Sequence, residues 1–182
     1  MSTEFKDWYN DLSQNQKVNY NICMEYPFLI PEDENYDYDY LDLEIPDGWR
    51  KLFFQMCGDI KSLLEKEDLI DKFRFVQVKE KFGEMVCYTN EYSNKEIEDI
   101  IAKYQYISSR ICSHCGKPAI YTTIGYILPF CSDCWKEHIP VEQVDFKPEF
   151  RIFKYNKNKD SYEKVTVSCK EEWERYVKSN FS

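Results

Sequence analysis

The hydrophobic pattern of the chain begins with helical spacing. Between residues 3 and 26 apolar side chains recur every three or four positions, which predicts one or two amphipathic helices. Ser13, followed three residues later by Gln16, matches a capping box, so a second helix is expected to begin there. Pro27 ends the stripe, because proline cannot continue the hydrogen bonding of a helix.

The next stretch, residues 31–47, loses this periodicity and contains eight acidic residues but no Lys or Arg. Within this acidic arm, three tyrosines alternate with two aspartates, and such a period of two predicts an edge strand with the tyrosines on one face. The alternating residues are Tyr36, Asp37, Tyr38, Asp39 and Tyr40. The arm is interpreted either as a solvated connector or as a binding arm for a basic surface. A calcium loop is set aside, because the required glycine and terminal glutamate are missing.

The centre of the chain predicts a helix followed by a hairpin. Apolar residues line one face from Gly48 to about Glu67, and Asp47 is the expected cap. Residues 73–89 then change to an extended pattern that turns at Gly83, which predicts a β-hairpin.

A further helix leads into a cysteine-rich segment. Ser93 and Glu96 match a capping box, and the apolar stripe that follows runs directly into Cys112. Residues 119–130 then predict two short strands that turn at Gly125.

Past the cysteines the pattern predicts a short helix from Asp133 to His138, then a hairpin and a final helix capped by Ser168. Together these patterns predict an α+β fold, with small β-hairpins packed on amphipathic helices. Four segments are expected: an acidic N-terminal part, a helix–hairpin–helix core, a zinc module, and a C-terminal hairpin and helix. Their ranges are 1–47, 48–111, 112–138 and 139–182.

Four cysteines provide the clearest chemical signal in the sequence. They form a C-x2-C-x15-C-x2-C pattern, the spacing of a tetrahedral zinc site, at Cys112, Cys115, Cys131 and Cys134. Gly116 supplies the positive φ that such a knuckle often needs. Four protein ligands leave no open position for a substrate, so one structural zinc ion in a treble-clef or zinc-ribbon module is expected. His114 and His138 are alternative ligands beside the four thiols.

The chain has eight cysteines, and the other four fall singly in apolar or amphipathic segments, at Cys23, Cys57, Cys87 and Cys169. An oxidised scaffold of four disulfides is the alternative interpretation, but metal spacing favours a reducing cytoplasm. The sequence has neither a long apolar signal segment near its start nor a stretch that could span a membrane.

Charge is concentrated at one end of the chain. The formal net charge is −9, and residues 1–47 alone hold twelve acidic residues against two lysines. Such a field repels phosphate backbones, which disfavours general nucleic-acid binding, and it suits a partner protein with a basic surface.

The hairpin tip, formed by Lys79, Lys81 and Phe82, has two interpretations. It is either a charged turn that keeps the protein soluble, or a recognition tip in which Phe82 enters a partner between the two lysines. The same lysines together with Arg74 could instead bind a nucleotide or another small anion.

No catalytic motif stands out from the sequence. A phosphate-binding glycine loop, an HExxH pair and a nucleophile elbow are all missing. Neither histidine is followed by the glutamate that a zinc deaminase needs. A non-enzymatic protein is therefore expected.

Residues 46–138 resemble a family of small zinc-ribbon proteins found in bacteriophage genomes, prophages and bacterial mobile islands. The shared features are Gly48-Trp49, the VKEKFG-type hairpin at residues 77–83, Tyr88, and the two CxxC pairs. The family usually has Leu-Arg after the hairpin turn, where this chain has Met85-Val86. The resemblance implies a mobile-element origin and no established activity.

These observations lead to one functional hypothesis and one alternative. The hypothesis is a non-enzymatic zinc protein that binds another macromolecule, as an acidic inhibitor, immunity-like or anti-defence protein in a bacterial host cytoplasm. The alternative is a module that binds a nucleotide or nucleic acid through the hairpin lysines and the zinc knuckles. Neither predicts a membrane partner, and the oligomeric state is left open.

Overall fold

Helices and short strands alternate along the chain in a computed structural model, and the result is the mixed α+β fold expected from the sequence. The structure describes residues 9–31, 35–39, 41, 43–123, 126–138, 144–145, 150–156 and 161–167, with positions 172, 175, 178 and 179. Its helices are α1 (Gln14–Glu25), α2 (Asp47–Glu67), α3 (Lys95–Ser108) and α4 (Ser132–His138), with a 3-10 turn at Pro27–Leu29. Its strands are β1 (Leu43–Glu44), β2 (Phe75–Lys81), β3 (Glu84–Thr89), β4 (Tyr121–Thr122), β5 (Pro129–Phe130), β6 (Val144–Asp145), β7 (Phe150–Asn156) and β8 (Ser161–Val167).

The predicted central hairpin is confirmed as β2 and β3, which pair antiparallel up to Lys81 opposite Glu84. Phe82 and Gly83 form the two-residue turn, with φ of 53° and 80°. Such turns need positive φ at both positions. The sequence did not predict β1, which adds a parallel strand with Leu43 opposite Val78 and gives a sheet in the order β1-β2-β3.

The main core lies between this sheet and helices α2 and α3. Its largest fully buried side chains come from the predicted apolar faces and from the segments just before the sheet. They are Trp49, Phe28, Phe53, Phe73, Leu52, Met56, Ile60, Leu64, Met85, Ile97 and Ile107. Phe28 contacts Phe73 and Phe75 edge-on at centroid distances of 5.8 and 5.9 Å, so the 3-10 turn is anchored to the sheet.

A partly buried ion pair joins α2 to α3. Lys103 Nζ lies 2.9 Å from Asp59 Oδ2, and the Tyr104 hydroxyl donates to the same oxygen at 2.9 Å. The Lys103 side chain is only 6% exposed, whereas Asp59 is 35% exposed. The pairing satisfies an ammonium group that would be costly to bury alone.

Within the described residues, two more sheets accompany the central one. Strand β4 pairs with both β5 and β6, and β7 pairs with β8. The hairpins predicted around residues 119–130 and near the C-terminus are therefore confirmed, whereas β6 was not predicted. Val165 of β8 packs against the main core, so the C-terminal hairpin contacts it. Gly125 and the expected cap Ser168 lie outside the described residues.

Two predicted helix caps were wrong by one residue, and one was right. Ser13 and Gln16 form the expected capping box. In α2 the cap position is Pro46, and Asp47 lies in the first turn, where its carboxylate pairs with Arg50 at 2.9 Å. In α3 the cap is Asn94 and not Ser93: the Asn94 side chain accepts from the Ile97 amide at 3.0 Å, which satisfies one of the free N–H groups at the start of the helix.

The edge strand predicted for the alternating tyrosines was also wrong over residues 35–39, which form turns and bends. Tyr38 has a positive φ of 64°, which no strand accommodates. Local side-chain contacts explain the difference, since Asn19 donates to the Tyr38 carbonyl at 2.8 Å and Gln16 donates to the Asp37 carbonyl at 3.1 Å. Tyr40 lies outside the described residues.

None of the helices in the described part of the chain is long and apolar enough to cross a membrane. The division into segments 1–47, 48–111, 112–138 and 139–182 stays a prediction.

Candidate metal centre

The first cysteine pair lies in a tight knuckle that follows α3. The Cys112 amide donates to the Lys117 carbonyl at 2.7 Å, and the Gly116 amide donates back to the Cys112 carbonyl at 2.9 Å. Gly116 has φ of 75°, so the expected left-handed position is confirmed. The knuckle is closed by a bridge between Ile111 and Pro118, which fixes the two thiols relative to α3.

The second pair lies where β5 ends and α4 begins. The Cys134 amide approaches the Cys131 sulfur at 3.5 Å, and the Trp135 amide donates to the Cys131 carbonyl at 3.2 Å. The Ser113 amide donates to the Pro129 carbonyl at 2.8 Å, which ties the first knuckle directly to the strand that carries the second pair.

The two knuckles bring four sulfur atoms together, so the structure assembles the predicted ligand set. The Sγ atoms of Cys112, Cys115, Cys131 and Cys134 all lie within 4.8 Å of one another. The Cys115 and Cys131 sulfurs are 3.6 Å apart. Tetrahedral Zn–S bonds of about 2.3 Å require sulfurs about 3.8 Å apart, so shifts of less than about 1 Å would complete such a site. The cluster could therefore hold a metal ion.

Histidine is not needed to complete this set. Within the described residues, the group of converging ligand atoms consists of the four thiols and does not include His114. His114 is exposed, as is Cys115, whereas the other three cysteines are buried. The His138 side chain lies outside the described part of the structure.

The surroundings affect the four thiols unequally. Burial raises the pKa of Cys115 and of Cys134. Burial also acts to raise the pKa of Cys131, but backbone amides of Cys134 and Asp133 donate to its sulfur, and the net pKa is lowered. Amides aimed at a sulfur at the start of a helix favour the thiolate, which is the form that binds metal.

A small apolar cluster covers the cysteines. Phe130 is buried with them, and Leu128 and Trp135 pack against the group. The rings of Trp135 and Tyr121 are 5.3 Å apart, so α4 is held against β4. Exclusion of water by these side chains would strengthen metal–thiolate bonds.

The N-terminus of α2 docks on the first knuckle, and the sequence pattern gave no spatial reason for this. The Gly48 amide donates to the Ser113 carbonyl at 2.9 Å, and the Trp49 indole donates to the Ile111 carbonyl at 3.3 Å. A Cβ atom on Gly48 would lie 2.3 Å from the Cys112 carbonyl oxygen, so only glycine fits. Gly48 lies 64 positions before Cys112, so the local sequence carries no signal of this contact.

The described part of the acidic arm is held against α1. Tyr38 packs edge-on against Tyr20 at 5.2 Å and lies 4.9 Å from Tyr36. Burial raises the pKa of Cys23 on α1 to about 11, and a hydrogen bond with Tyr36 partly opposes this shift. Tyr36 and Tyr38 are therefore half-buried and serve the fold, and do not form a row of exposed rings.

The aspartates of the arm have the opposite exposure. Asp37 and Asp39 are both exposed, and the Asp39 amide donates to the Asp37 carboxylate at 3.1 Å. The Asp37 charge raises the pKa of Asp39, as expected for two carboxylates held close together. The arm thus presents negative charge from a fixed backbone.

The residues of the hairpin tip lie at one end of β2. Phe82 is 74% exposed, Lys81 Nζ lies 5.8 Å from its ring centroid, and Lys79 Nζ lies 5.3 Å from the ring of Tyr88. Arg74 directly precedes β2 at its other end. At the usual rise per residue, the Arg74 backbone lies about 23 Å from the Lys81 backbone. The small-anion site expected from Arg74 and the two lysines is therefore not assembled.

A cavity of about 440 Å³ lies beside the start of β2. Apolar side chains such as Leu29, Leu41 and Leu43 contribute much of its lining, and Arg74 also reaches it. The Arg74 guanidinium donates to the Phe73 carbonyl at 2.7 Å, so it stabilises the chain before β2. This arrangement does not resemble a phosphate cradle.

Comparison with known proteins adds no relative: no family model, no curated protein and no solved structure matches the chain.

Proposed function

We propose that the four thiols bind one zinc ion as a structural staple in a treble-clef-like module. Support comes from a donor set of four sulfurs, the ligand type and number of structural zinc sites. A site with four protein ligands has no position for a substrate or a reactive water. The proposed protein is therefore non-enzymatic and acts by binding, in a reducing cytoplasm that keeps its thiols free.

The proposed partner is a protein with a basic surface, which the acidic arm contacts. The observation that carries this proposal is the fixed arm: Asp37 and Asp39 are exposed, while the backbone between them is held by Gln16 and Asn19 of α1. A preorganised pair of carboxylates loses little conformational entropy on binding. Charge concentrated in the first quarter of the chain would also steer a basic partner towards the arm.

The proposed biological role is inhibition of a basic active site, as an immunity-like or anti-defence protein of mobile-element origin. The two aspartates would stand in for phosphate groups of a nucleic-acid substrate. The role agrees with the family resemblance, which implies the same origin.

The experiment compares proteins captured from host lysate by three forms of the protein. The arm variant Asp37→Asn/Asp39→Asn removes two exposed carboxylates. The control Asp71→Asn/Glu98→Gln removes two other exposed carboxylates, Asp71 before β2 and Glu98 on α3. We expect a basic protein that binds the wild type and the control but binds the arm variant at least tenfold less. Retention of all partners by the arm variant would contradict the proposal.

A further inference from the structure

The turn of the central hairpin touches the loop that precedes β5. Glu80 joins the two, because one of its carboxylate oxygens accepts from the Gly83 amide at 2.8 Å and the other accepts from the Tyr126 hydroxyl. A Cβ atom on Gly83 would lie 2.9 Å from Ile127 Cγ2, so the turn and the loop are in direct contact.

The loop itself is braced on its own side. The Thr123 hydroxyl donates to the Tyr126 carbonyl and accepts from the Leu128 amide at 2.8 Å. The Thr123 amide donates to the Leu128 carbonyl at 3.1 Å. Tyr126 and Ile127 are thus presented by a fixed backbone that belongs to the metal module.

These contacts gather three apolar side chains at the surface, which we name the Phe82 patch: Phe82, Tyr126 and Ile127. Their exposed fractions are 74%, 69% and 39%. Phe82 also has a positive φ of 53°, a backbone conformation that favours Gly or Asn and disfavours an aromatic residue. A bulky apolar side chain in a strained, exposed turn is unfavourable for folding, and strain of this kind is concentrated at functional sites.

The charges around the patch are arranged asymmetrically. The two carboxylates of the hairpin tip accept hydrogen bonds from within the protein. Glu80 accepts from Gly83 and Tyr126, and Glu84 accepts from the Gln105 side chain at 2.9 Å. The two lysines extend over aromatic rings, with Lys81 at the edge of the patch. Lys79 lies two residues further back, over Tyr88 and opposite Glu44 of β1, so a partner would meet an apolar centre with the Lys81 ammonium group at its border.

The size of the patch decides between possible occupants. An aromatic side chain buries about 150–250 Å², so the three partly exposed side chains supply on the order of 400 Å². A stable interface needs about 800 Å² from each partner, so two copies of the patch alone would not hold a dimer. An area of this size is typical of the central anchor of an interface, where an aromatic side chain fills a pocket.

We propose that the Phe82 patch is a docking site at which Phe82 enters an apolar pocket of a partner protein, with a carboxylate at the pocket rim facing Lys81. This site is separate from Asp37 and Asp39 of the acidic arm, because their backbone is held against α1, whereas the patch lies at the turn that ends β2. The metal module contributes two of the three side chains of the patch, so the module also has a role in recognition.

Photo-crosslinking in the cells that naturally make the protein tests this site. The photoreactive residue p-benzoylphenylalanine replaces Phe82, Tyr126 or, as a control, Val76, which is 64% exposed on the same strand but away from the patch. We expect positions 82 and 126 to crosslink one and the same protein, at least fivefold more strongly than position 76. The crosslinked peptide of that protein should map to an apolar pocket with acidic residues at its rim.

Charge reversal provides the second measurement. Lys81→Glu should lower the crosslink yield at position 82 at least fivefold, whereas the control Lys72→Glu, at an exposed lysine elsewhere, should leave it unchanged. Unchanged melting temperature and metal content confirm that each variant is folded. The proposal is overturned if position 82 yields no adduct, if position 76 yields as much, or if the adduct contains nucleic acid, lipid or a second copy of this chain.

Discussion

A single methyl group on Gly48 tests whether the metal knuckle and the main core form one unit. In Gly48→Ala the new Cβ atom would lie 2.3 Å from the Cys112 carbonyl oxygen, 2.7 Å from the Ser113 carbonyl oxygen and 2.8 Å from the Cys115 amide nitrogen. All three atoms belong to the backbone, so no flexible side chain can move aside. Either α2 must retreat or the knuckle must deform.

The expected cost follows from two opposing terms. Overpacking costs up to about 3 kcal/mol, and contacts this short put the variant at the upper end. Alanine is better than glycine inside a helix by about 1 kcal/mol, which leaves a net loss of about 2 kcal/mol. At about 2–4 °C per kcal/mol for a chain of this size, the melting temperature should fall by about 4–8 °C.

Gly58→Ala in the same helix is the matched control, because nothing lies within 4 Å of its Cβ position. It should raise stability by about 0.5–1 kcal/mol. Thermal unfolding followed by circular dichroism measures both variants, and competition with a chelator measures how well each retains metal. Gly48→Ala should lose metal to the chelator more readily than Gly58→Ala. If Gly48→Ala melts at or above the wild-type temperature and retains metal equally well, the close approach at the knuckle is incorrect.

Three other predictions concern the core. Ser108→Ala removes the hydroxyl that accepts from the Met85 amide at 2.7 Å. The buried Met85 N–H then loses this acceptor, so the free energy of unfolding measured with denaturant should fall by about 1–3 kcal/mol. A fall below about 0.5 kcal/mol would contradict this. Burial raises the pKa of Cys87 to about 12, so near pH 8 its thiolate is rarer than that of a free cysteine, and iodoacetamide should modify this partly buried residue much more slowly in the folded than in the unfolded protein. Equal labelling rates in the two states, measured by peptide mass spectrometry, would contradict this. Asp59→Ala should lower the free energy of unfolding by about 2 kcal/mol more than Lys103→Met, because it removes the carboxylate that pairs with the buried Lys103 ammonium. Equal losses in the two variants would show that this ion pair does not contribute to stability.

The folding pattern could be predicted where it depends on local sequence. Helices α2 and α3 follow from apolar side chains at helical spacing, and the β2–β3 hairpin follows from an extended pattern around Gly83. The convergence of four thiols follows from spacing alone, because two residues between cysteines allow both sulfurs to face one point.

The features that were missed depend on contacts between distant residues. Strand β1 is two residues long and pairs with β2 about 35 positions later, so its own sequence carries little strand signal. The tyrosine alternation suggested a strand, but hydrogen bonds from Gln16 and Asn19 of α1 determine the backbone of residues 35–39. The hydrogen bond between Glu80 and Tyr126 is equally invisible in sequence, since it depends on the packing of two hairpins.

The four-thiolate site is tested by measuring the metal content of the purified protein by plasma mass spectrometry, together with native mass spectrometry of the intact chain. The purified protein should carry one zinc per chain and lose it in Cys131→Ser, and its melting temperature should fall strongly when a chelator removes the zinc, since structural zinc contributes about 10–16 kcal/mol in small modules. A wild-type protein that carries no stoichiometric metal, and whose melting is unchanged by the chelator, would contradict the central claim that four thiolates hold this fold around a metal ion.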